Sequence, residues 1–459
     1  MKRRELLTAD FAGAGTASLQ ASPRGMSSDD AGALAERILG MSGADETSVA
    51  ITSGWTGNTR YAVNRVTTAG EATDATVTIT ARVGRRSATA ETNRFDDESL
   101  AAAMGEAERL ARLAPEDPEM MPLLGPQDYA ESDAFHEATA GLDAGSRAEV
   151  AGAAIDMARG QGLTAAGFLE VDAGARALAN SAGLFAYHPS TSVDYTLTVR
   201  TEDGSGSGWA GVGHRDWGQV NAGALHRTAV QKAADSRAPR ALEPGTYTAV
   251  LEPSAVGSLV GLLAGALNAR TADEGRSAFS APGGGTKIGE QIVDSRVTLG
   301  SDPGVLGAAP FANDGMPLDP ISWIEGGSLA NLFYNRFWAD KQAQQPTGSP
   351  NTILMSGGDA TREELIGGVE RGVLLTRFWY IRPVDPRTIL YTGLTRDGTF
   401  LIENGQIAYP VNNFRWNDSP LFVLNNLEAM SRPVRVETGV MVPAIRTSEF
   451  TLSSVSEAV

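Results

Sequence analysis

The chain has 459 residues, of which 42% are hydrophobic and 20% are charged, and its formal net charge is −17. The composition is typical of a globular protein with a large core, and the length favours two or more domains. The acidic balance argues against a nucleic-acid surface, which requires clustered Lys and Arg. The sequence contains no cysteine, which excludes disulfides and thiolate metal ligands.

Residues 1–27 are predicted to form an N-terminal extension. Residues 2–7 resemble the start of a twin-arginine signal peptide, but Asp10 interrupts the apolar stretch that follows. We expect a disordered extension or an upstream start codon, with Met26 as the working beginning, and a cytoplasmic protein. Export through the twin-arginine pathway is the alternative. No apolar run reaches the roughly 20 residues that a membrane-spanning helix needs, so we expect no membrane contact.

Residues 28–240 predict an N-terminal α/β domain with a mixed sheet and flanking helices. Helical periodicity and capping residues favour helices near 28–39, 98–113 and 146–159. Strict alternation of apolar and polar residues favours strands at 77–83 and 193–199. A composition shift near 239–244 marks the boundary of this domain.

Residues 241–459 predict a mostly antiparallel, barrel-like β domain around one buried helix, so the whole chain is expected to be α+β. The helix begins after Pro253, and it is apolar nearly all round. Further along, Thr361 begins a capping-box helix. Asn404-Gly405 predicts a type I′ hairpin turn, with Ile402 opposite Ile407 and Phe400 opposite Tyr409.

The apolar helix contains three glycines spaced four residues apart, namely Gly257, Gly261 and Gly265. This spacing aligns them on one helix face, where another backbone could approach closely. The entropic cost of helical glycine requires such a neighbour. Internal packing and a subunit contact are equally compatible with this ridge.

Other catalytic signatures are weak. The four histidines, His136, His188, His214 and His226, stand in no H-E-x-x-H arrangement, and we expect each to have a surface or loop role. Residues 206–211 satisfy G-x-G-x-x-G, but the surrounding pattern favours a hairpin over the helix start that binds a dinucleotide.

Several short motifs occur together in a specific order. They are RYAVN at 60–64, NSAG at 180–183, GTYTAVLEP at 245–253, NDG at 313–315 and FLIENGQIAYPVNNF at 400–414. In this order and spacing they resemble the TldD/PmbA family of metalloproteases, also known as modulators of DNA gyrase. The resemblance extends from about residue 29 to about residue 452.

Catalytic members of that family carry HExxxH where this chain has residues 253–258. Here Pro253, Ser254 and Ser258 replace the two metal-binding imidazoles and the general-base glutamate. The third ligand of catalytic members is a cysteine, and the corresponding region near Met441 offers only a thioether, a poor zinc ligand. The resemblance therefore implies a TldE/PmbA-like member without metal, cofactor or catalytic residues of its own.

The favoured interpretation is the non-catalytic subunit of a TldD/TldE-type zinc protease that processes unfolded or extended peptides. Zinc is then expected only in a TldD-like HExxxH partner, and this chain supplies chamber wall, strand edge and dimer surface. One alternative is a homodimeric peptide-binding protein without protease activity. Another is a hydrolase with a rebuilt, non-zinc site, for which Ser254 and Ser258 lack an identifiable base.

Overall fold

The first half of the chain forms a six-stranded sheet with helices on one face. The computed structural model describes residues 25–456, so most of the predicted extension at 1–27 lies outside the described residues. The strands are β1 (Glu46–Ala62), β2 (Arg65–Val83), β3 (Arg86–Thr92), β4 (Leu163–Asn180), β5 (Phe185–Thr201) and β6 (Ser207–His214). The helices are α1 (Ser28–Leu39), α2 (Asp97–Leu113), α3 (Glu137–Ala140), α4 (Ala144–Arg159) and α5 (Ala222–Asp235), with a 3₁₀ turn at Trp217–Gln219.

The strand order of this first sheet is β3-β2-β1-β4-β5-β6, and every neighbouring pair is antiparallel. The predicted mixed sheet is therefore wrong for this half. Parallel neighbours in a mixed sheet require crossover connections of about a dozen or more residues. Here the long strands follow one another through tight turns instead, and a turn of a few residues can join only antiparallel strands.

The helices α1, α2, α4 and α5 all cover the same face of the first sheet. Odd-numbered residues such as Ile51, Leu169 and Tyr195 point into this apolar layer. The opposite face is polar. It carries Asp172, whose carboxylate accepts hydrogen bonds from Thr56 (2.5 Å) and Ser192 (3.1 Å). One face of the sheet is thus left for contact with the second half of the chain.

The second half begins with β7 (Gly245–Leu251) and contains two further sheets. Its other strands are β8 (Leu299–Ser301), β9 (Ile321–Glu325), β10 (Ser328–Leu329), β11 (Ile353–Met355), β12 (Arg371–Leu375), β13 (Phe378–Asp385), β14 (Leu390–Thr395), β15 (Thr399–Glu403), β16 (Gln406–Pro410), β17 (Asn413–Asp418), β18 (Leu427–Met430), β19 (Val434–Glu437), β20 (Val440–Val442) and β21 (Ile445–Ser456). Its helices are α6 (Pro253–Ala266), α7 (Ala269–Asp273), α8 (Pro303–Leu306), α9 (Arg336–Gln342), α10 (Arg362–Gly367) and α11 (Pro420–Asn425).

The two C-terminal sheets are open. The second sheet has the order β10-β9-β8-β11-β20-β19, and the third runs β13-β14-β17-β21-β7-β12-β15-β16, with β18 beside β21. Most pairs are antiparallel, as predicted; β7 with β12 and β11 with β20 are parallel. Among the described residues the ends of neither sheet pair with each other, so the barrel-like closure is not observed. The α+β class is confirmed.

Helix α6 lies in the core of the second half, as predicted. Pro253 occupies its first turn, where a missing N–H costs nothing. Val256, Leu259, Val260 and Leu263 are at most 2% exposed. They pack with apolar residues of both C-terminal sheets and of α11. In residues 25–456 no helix combines the length and apolarity that crossing a membrane requires.

The two halves meet where β6 approaches the turn between β19 and β20. A Cβ atom at Gly213 in β6 would lie 2.5 Å from the Thr438 backbone nitrogen, so only glycine allows this approach. The predicted domain boundary at 240/241 falls between α5 and β7. This contact brings the polar face of the first sheet beside the start of α6.

Candidate functional site

The start of α6 carries Pro253, Ser254 and Ser258, the three residues that the family resemblance predicts in place of the HExxxH motif. Ser258 donates its hydroxyl hydrogen to the Ser254 carbonyl oxygen at 3.0 Å, a main-chain contact within the helix. Both serines line cavities between the two halves of the chain. Pro253 offers no donor or acceptor on its side chain.

This donor set does not fit a zinc ion. Zinc in proteins is held by imidazole, thiolate or carboxylate groups, and the three positions supply a pyrrolidine ring and two hydroxyls. Glu252, just before the helix, is committed to two cations: its carboxylate lies 2.6 Å from Lys232 Nζ and 3.2 Å from Arg362 Nε. Within residues 25–456, His, Asp and Glu side chains form no group of three or more that could hold a metal.

A large cleft of about 1360 Å³ opens beside these residues. It lies between α5 and β6 of the first half and the start of α6, α10 and β19 of the second. Its walls combine apolar side chains such as Val230, Val434 and Val436 with charged ones. Val434 is 47% exposed and Ile407 is 42% exposed, which leaves apolar surface open on the strands that border the cleft.

Edge strands of all three sheets border this cleft. Strand β6 ends the first sheet, β19 ends the second and β16 ends the third. Each strand contributes a residue to the cleft wall: Trp209 from β6, Val434 from β19 and Ile407 from β16. An edge strand presents backbone N–H and C=O groups that have no partner in its own sheet, and these groups can pair with an added strand.

A smaller cavity of about 410 Å³ adjoins the cleft, and Ser254 and Ser258 line it together with Asp194 and Glu437. Asp194 is exposed to this cavity, and partial desolvation there, together with repulsion from Glu437, Glu170 and Asp172, raises its pKa to about 6. Asp194 and Glu437 thus form an acidic corner at the end of the site that Ser254 and Ser258 line, whereas the cleft carries charges of both signs.

Arg377 lines the smaller cavity and packs against Trp209. Its guanidinium stands 4.4 Å from the centroid of the Trp209 ring and 3.1 Å from the Asp397 carboxylate. Asp397 is 1% exposed and also accepts a hydrogen bond from Ser207 at 2.6 Å. These contacts fix the Trp209 side chain, which lines both cavities.

Two of the four histidines contradict the expected surface or loop role. His226 is 2% exposed, and its Nε2 atom lies 2.8 Å from the Tyr195 hydroxyl, which in turn lies 3.0 Å from the Tyr61 hydroxyl. His188 is 6% exposed on β5. Burial, with Arg215 and Arg176 nearby, lowers the pKa of His188 to about 4. Both imidazoles occupy packed positions on opposite faces of the first sheet, which sequence spacing does not reveal.

The other two histidines are half-buried. His136 precedes the short helix α3. His214 ends β6, and its Nδ1 atom accepts a hydrogen bond from the Asp216 backbone nitrogen at 2.9 Å. Residues 206–211, the G-x-G-x-x-G match, lead into and lie within β6 without a following phosphate-binding helix.

The three glycines of α6 differ from one another. A Cβ at Gly257 would lie 3.0 Å from Val436 and 3.6 Å from Val440, so β19 and β20 pack closely on this position. Cβ atoms at Gly261 and Gly265 would meet nothing within 4 Å among the described residues. Internal packing thus accounts for the first glycine of the ridge, whereas residues 25–456 place no close neighbour over the other two.

Sequence reasoning missed the charged lining of the cleft. Lys232, Arg362 and Arg435 come from three distant segments, and only the fold brings them together. The capping box at Thr361 predicted helix α10 correctly, since Thr361 accepts from the Glu364 nitrogen and Glu364 accepts from the Thr361 nitrogen. No local signal indicated that Arg362, which follows the cap, reaches Glu252.

Both halves of the chain match one family of metallopeptidases. Residues 133–237 match the PmbA/TldA metallopeptidase central domain, and residues 244–454 match the PmbA/TldA metallopeptidase C-terminal domain. The chain therefore belongs to the TldD/PmbA family, which confirms the family indicated by the short motifs.

Two curated relatives share part of this similarity. One is the metalloprotease PmbA homolog of Buchnera aphidicola, 27% identical over 152 residues, which cover 32% of this chain and 33% of that protein. The other is a metalloprotease of Methanothermobacter thermautotrophicus, 26% identical over 167 residues, 33% of this chain and 36% of that protein. The aligned regions thus span about a third of these relatives.

Solved structures share the fold over nearly the whole chain. A putative modulator of DNA gyrase from Bacteroides thetaiotaomicron superimposes with a TM-score of 0.81 at 20% identity, covering 93% of this chain and 99% of that one. TldE from Thermococcus kodakarensis gives 0.78 at 18% identity, with 92% and 99% covered. A putative modulator of DNA gyrase from Thermotoga maritima gives 0.80 at 17%, with 92% and 100% covered. At this identity the likeness concerns the fold alone.

Proposed function

We propose that the protein is the non-catalytic, peptide-holding subunit of a TldD/TldE-type zinc metalloprotease. One observation carries this proposal: the edge strands β6, β19 and β16 of three separate sheets border a single cleft at the start of α6. An extended peptide can add to such an edge through main-chain hydrogen bonds that make little demand on sequence. The cleft volume of about 1360 Å³ accommodates several residues of such a peptide.

The chemistry of α6 supports a subunit without hydrolytic activity of its own. Pro253, Ser254 and Ser258 cannot replace two imidazoles and a carboxylate, and the nearby Glu252 is held by Lys232 and Arg362. In this proposal zinc and its general base reside in a TldD-like HExxxH partner. The present chain contributes chamber wall and strand edges in the cytoplasm; export through the twin-arginine pathway is the alternative.

The hydrolase alternative has less support. A serine nucleophile needs a base within hydrogen-bond reach. The Ser258 hydroxyl donates a hydrogen bond to a main-chain carbonyl oxygen, that of Ser254. The homodimer alternative keeps the peptide cleft and changes only the partner, so the same assay separates it from the favoured proposal.

Purification of the full chain with and without an HExxxH companion tests the proposal. Alone, the chain should carry well below one zinc per polypeptide and leave an unstructured reporter peptide intact. Mixed with the companion, it should co-elute in size exclusion and restore cleavage. Stoichiometric zinc in the isolated chain, or unaided cleavage, would contradict a non-catalytic subunit. Peptide binding by a self-dimer that never co-elutes with the companion would favour the homodimer.

A further inference from the structure

The cleft differs in charge from the rest of the molecule. Five cationic side chains line it, and three carboxylates accompany them. The cations are Arg227, Lys232, Arg362, Arg432 and Arg435, and the carboxylates are Asp235, Glu252 and Asp359. The chain as a whole carries a net charge of −17. A locally positive cleft in an acidic protein attracts anionic ligands that the remaining surface repels.

The pairing of these charges leaves two arginines without a carboxylate. Glu252 serves both Lys232 and Arg362, at 2.6 and 3.2 Å. Among residues 25–456 no ion pair engages Arg227 or Arg435. Their positive charge is therefore not cancelled by an acidic neighbour in direct contact.

The two unpaired arginines have different surroundings. Arg435 lies on the edge strand β19, and its guanidinium donates to the carbonyl oxygens of Val305, Leu306 and Thr438 at 3.0–3.3 Å. These neutral acceptors orient the guanidinium and leave its charge intact. Arg227 is exposed on α5, across the cleft. Both residues line the cleft, Arg227 from the α5 wall and Arg435 from the β19 wall.

The smaller cavity next to the cleft has the opposite character. Its cation Arg377 is neutralised by the buried Asp397, while Asp194 and Glu437 have no basic partner among the described residues. The summed charge of the lining side chains is thus positive in the cleft and negative at the acidic corner. A bound chain meets an excess of cations over carboxylates in the cleft, and an excess of carboxylates near Ser254 and Ser258.

We infer that the cleft selects extended peptides with an acidic segment, which lies between Arg227 and Arg435 while the peptide backbone pairs with an edge strand. This inference rests on the proposed peptide-holding function and adds a charge preference to it. Apolar positions along the same walls, including Val434 and Val436, accept the intervening side chains. Selectivity arises because the two unpaired arginines attract an acidic side chain of the peptide. The same arginines repel a basic side chain.

Fluorescence anisotropy with three labelled peptides of equal length tests this inference on the full chain. One peptide carries a run of Glu, one a run of Lys and one a run of Ser within a common flexible sequence. At low ionic strength we expect the Glu peptide to bind about fivefold or more tightly than the Ser peptide, and the Lys peptide more weakly than either. The preference should largely vanish at about 0.5 M salt.

Charge reversal locates the preference. R227E should weaken binding of the Glu peptide about three- to tenfold and leave the Ser peptide nearly unchanged. R387E, at an exposed turn outside the cleft, is the matched control and should change neither affinity. An unchanged Glu-peptide affinity in R227E, with the salt dependence intact, would overturn the inference.

The remaining outcomes separate this inference from the function beneath it. Equal binding of all three peptides would overturn the charge preference and leave the peptide-holding function standing. No binding of any peptide would overturn both. Tighter binding of a single-stranded oligo(dT) than of the Glu peptide would show that the positive cleft serves a nucleic acid, and it would overturn the assignment to peptides.

Discussion

The Glu252 carboxylate lies 2.6 Å from the Lys232 ammonium group, joining the residue that precedes α6 to helix α5 of the other half of the chain. The Lys232 and Glu252 side chains are only 15% and 13% exposed. Arg362 of α10 completes the group at 3.2 Å. Residues of α5, of α10 and of the segment before α6 are thus held together at the start of α6.

Removing the shared carboxylate should destabilise this junction. Glu252→Ala leaves Lys232 largely buried without its partner, and we expect the free energy of unfolding in urea to fall by about 2 kcal/mol. Asp359→Ala is the matched control, since its ion pair with Arg432 lies at the same cleft but is 93% and 81% exposed. That change should cost less than about 0.5 kcal/mol. Equal losses in the two variants would contradict a special role for Glu252.

The glycines of α6 allow a second matched comparison. Gly257→Leu forces a side chain against Val436 and Val440, and overpacking of this kind costs about 2 kcal/mol. A Cβ atom at Gly261 would meet no described atom within 4 Å apart from the helix's own backbone, and leucine gains helix propensity there, so Gly261→Leu should leave the isolated chain unchanged or up to about 1 kcal/mol more stable. Urea unfolding of both variants measures the difference.

The assembly of the chain with a partner subunit provides a second test at Gly261, independent of the stability of the isolated chain. If the open part of the ridge contacts a partner subunit, Gly261→Leu will shift the elution volume of the complex without lowering the melting temperature of the isolated chain. A variant with unchanged elution and unchanged complex affinity would rule out a subunit contact at this position. A strongly destabilised isolated chain would show that the neighbouring elements leave no room for a leucine side chain at Gly261.

Sequence patterns predicted local elements well and the site poorly. Asn404 and Gly405 both adopt positive φ angles, 51° and 75°, and Ile402 lies opposite Ile407 as predicted. The pairing of Phe400 with Tyr409 was wrong, because a bulge between Leu401 and Ile402 places Leu401 opposite Tyr409. Turn residues determine the turn, whereas a bulge depends on what the strand packs against and leaves no local signature.

Long-range contacts explain the remaining differences. The alternation at 193–199 indicated a strand with one apolar face, and β5 confirms it, but alternation is the same for parallel and antiparallel neighbours. The mixed sheet was therefore a topological error and not an error in the elements. Likewise the sequence predicts that Pro253, Ser254 and Ser258 replace HExxxH, while Lys232 and Arg435 reach the same cleft only through the fold.

The buried imidazole of His188 should make stability depend on pH. Its pKa is about 4 in the folded chain and 6.5 in the unfolded chain, so between these values the unfolded state binds more protons. Stability should therefore fall as pH decreases from about 6.5 to 4. We expect His188 to account for about 2 kcal/mol of that loss.

Comparison of the parent chain with His188→Gln isolates this contribution. Unfolding free energies measured in urea at pH 7 and pH 4 should differ less in the variant than in the parent, since an amide does not titrate. The Nε2 atom of His188 is buried and has no hydrogen-bond partner among residues 25–456. The substitution therefore breaks no hydrogen bond of Nε2 within the described part of the chain. Identical pH dependence in the two proteins would show that His188 is not the titrating group.

Asp194 should have the opposite pH dependence. Its pKa is about 6, raised from 3.8 by partial desolvation at the cavity wall and by the carboxylates of Glu437, Glu170 and Asp172. The folded chain therefore binds more protons between these values, and the stabilisation is present below about pH 4 and lost as pH rises through 6. Asp194→Asn removes this loss, because the amide stays neutral.

We expect Asp194→Asn to be about 1 kcal/mol more stable than the parent at pH 8 and nearly equal to it at pH 4. The gain is modest because the carboxylate faces a cavity open to solvent. Asp359→Asn, at an exposed ion pair, is the control and should show no such gain. Equal stability of the Asp194 variant and the parent at pH 8 would mean that the acidic corner is relieved by something outside this chain, as a cationic group of a bound peptide or partner subunit would do.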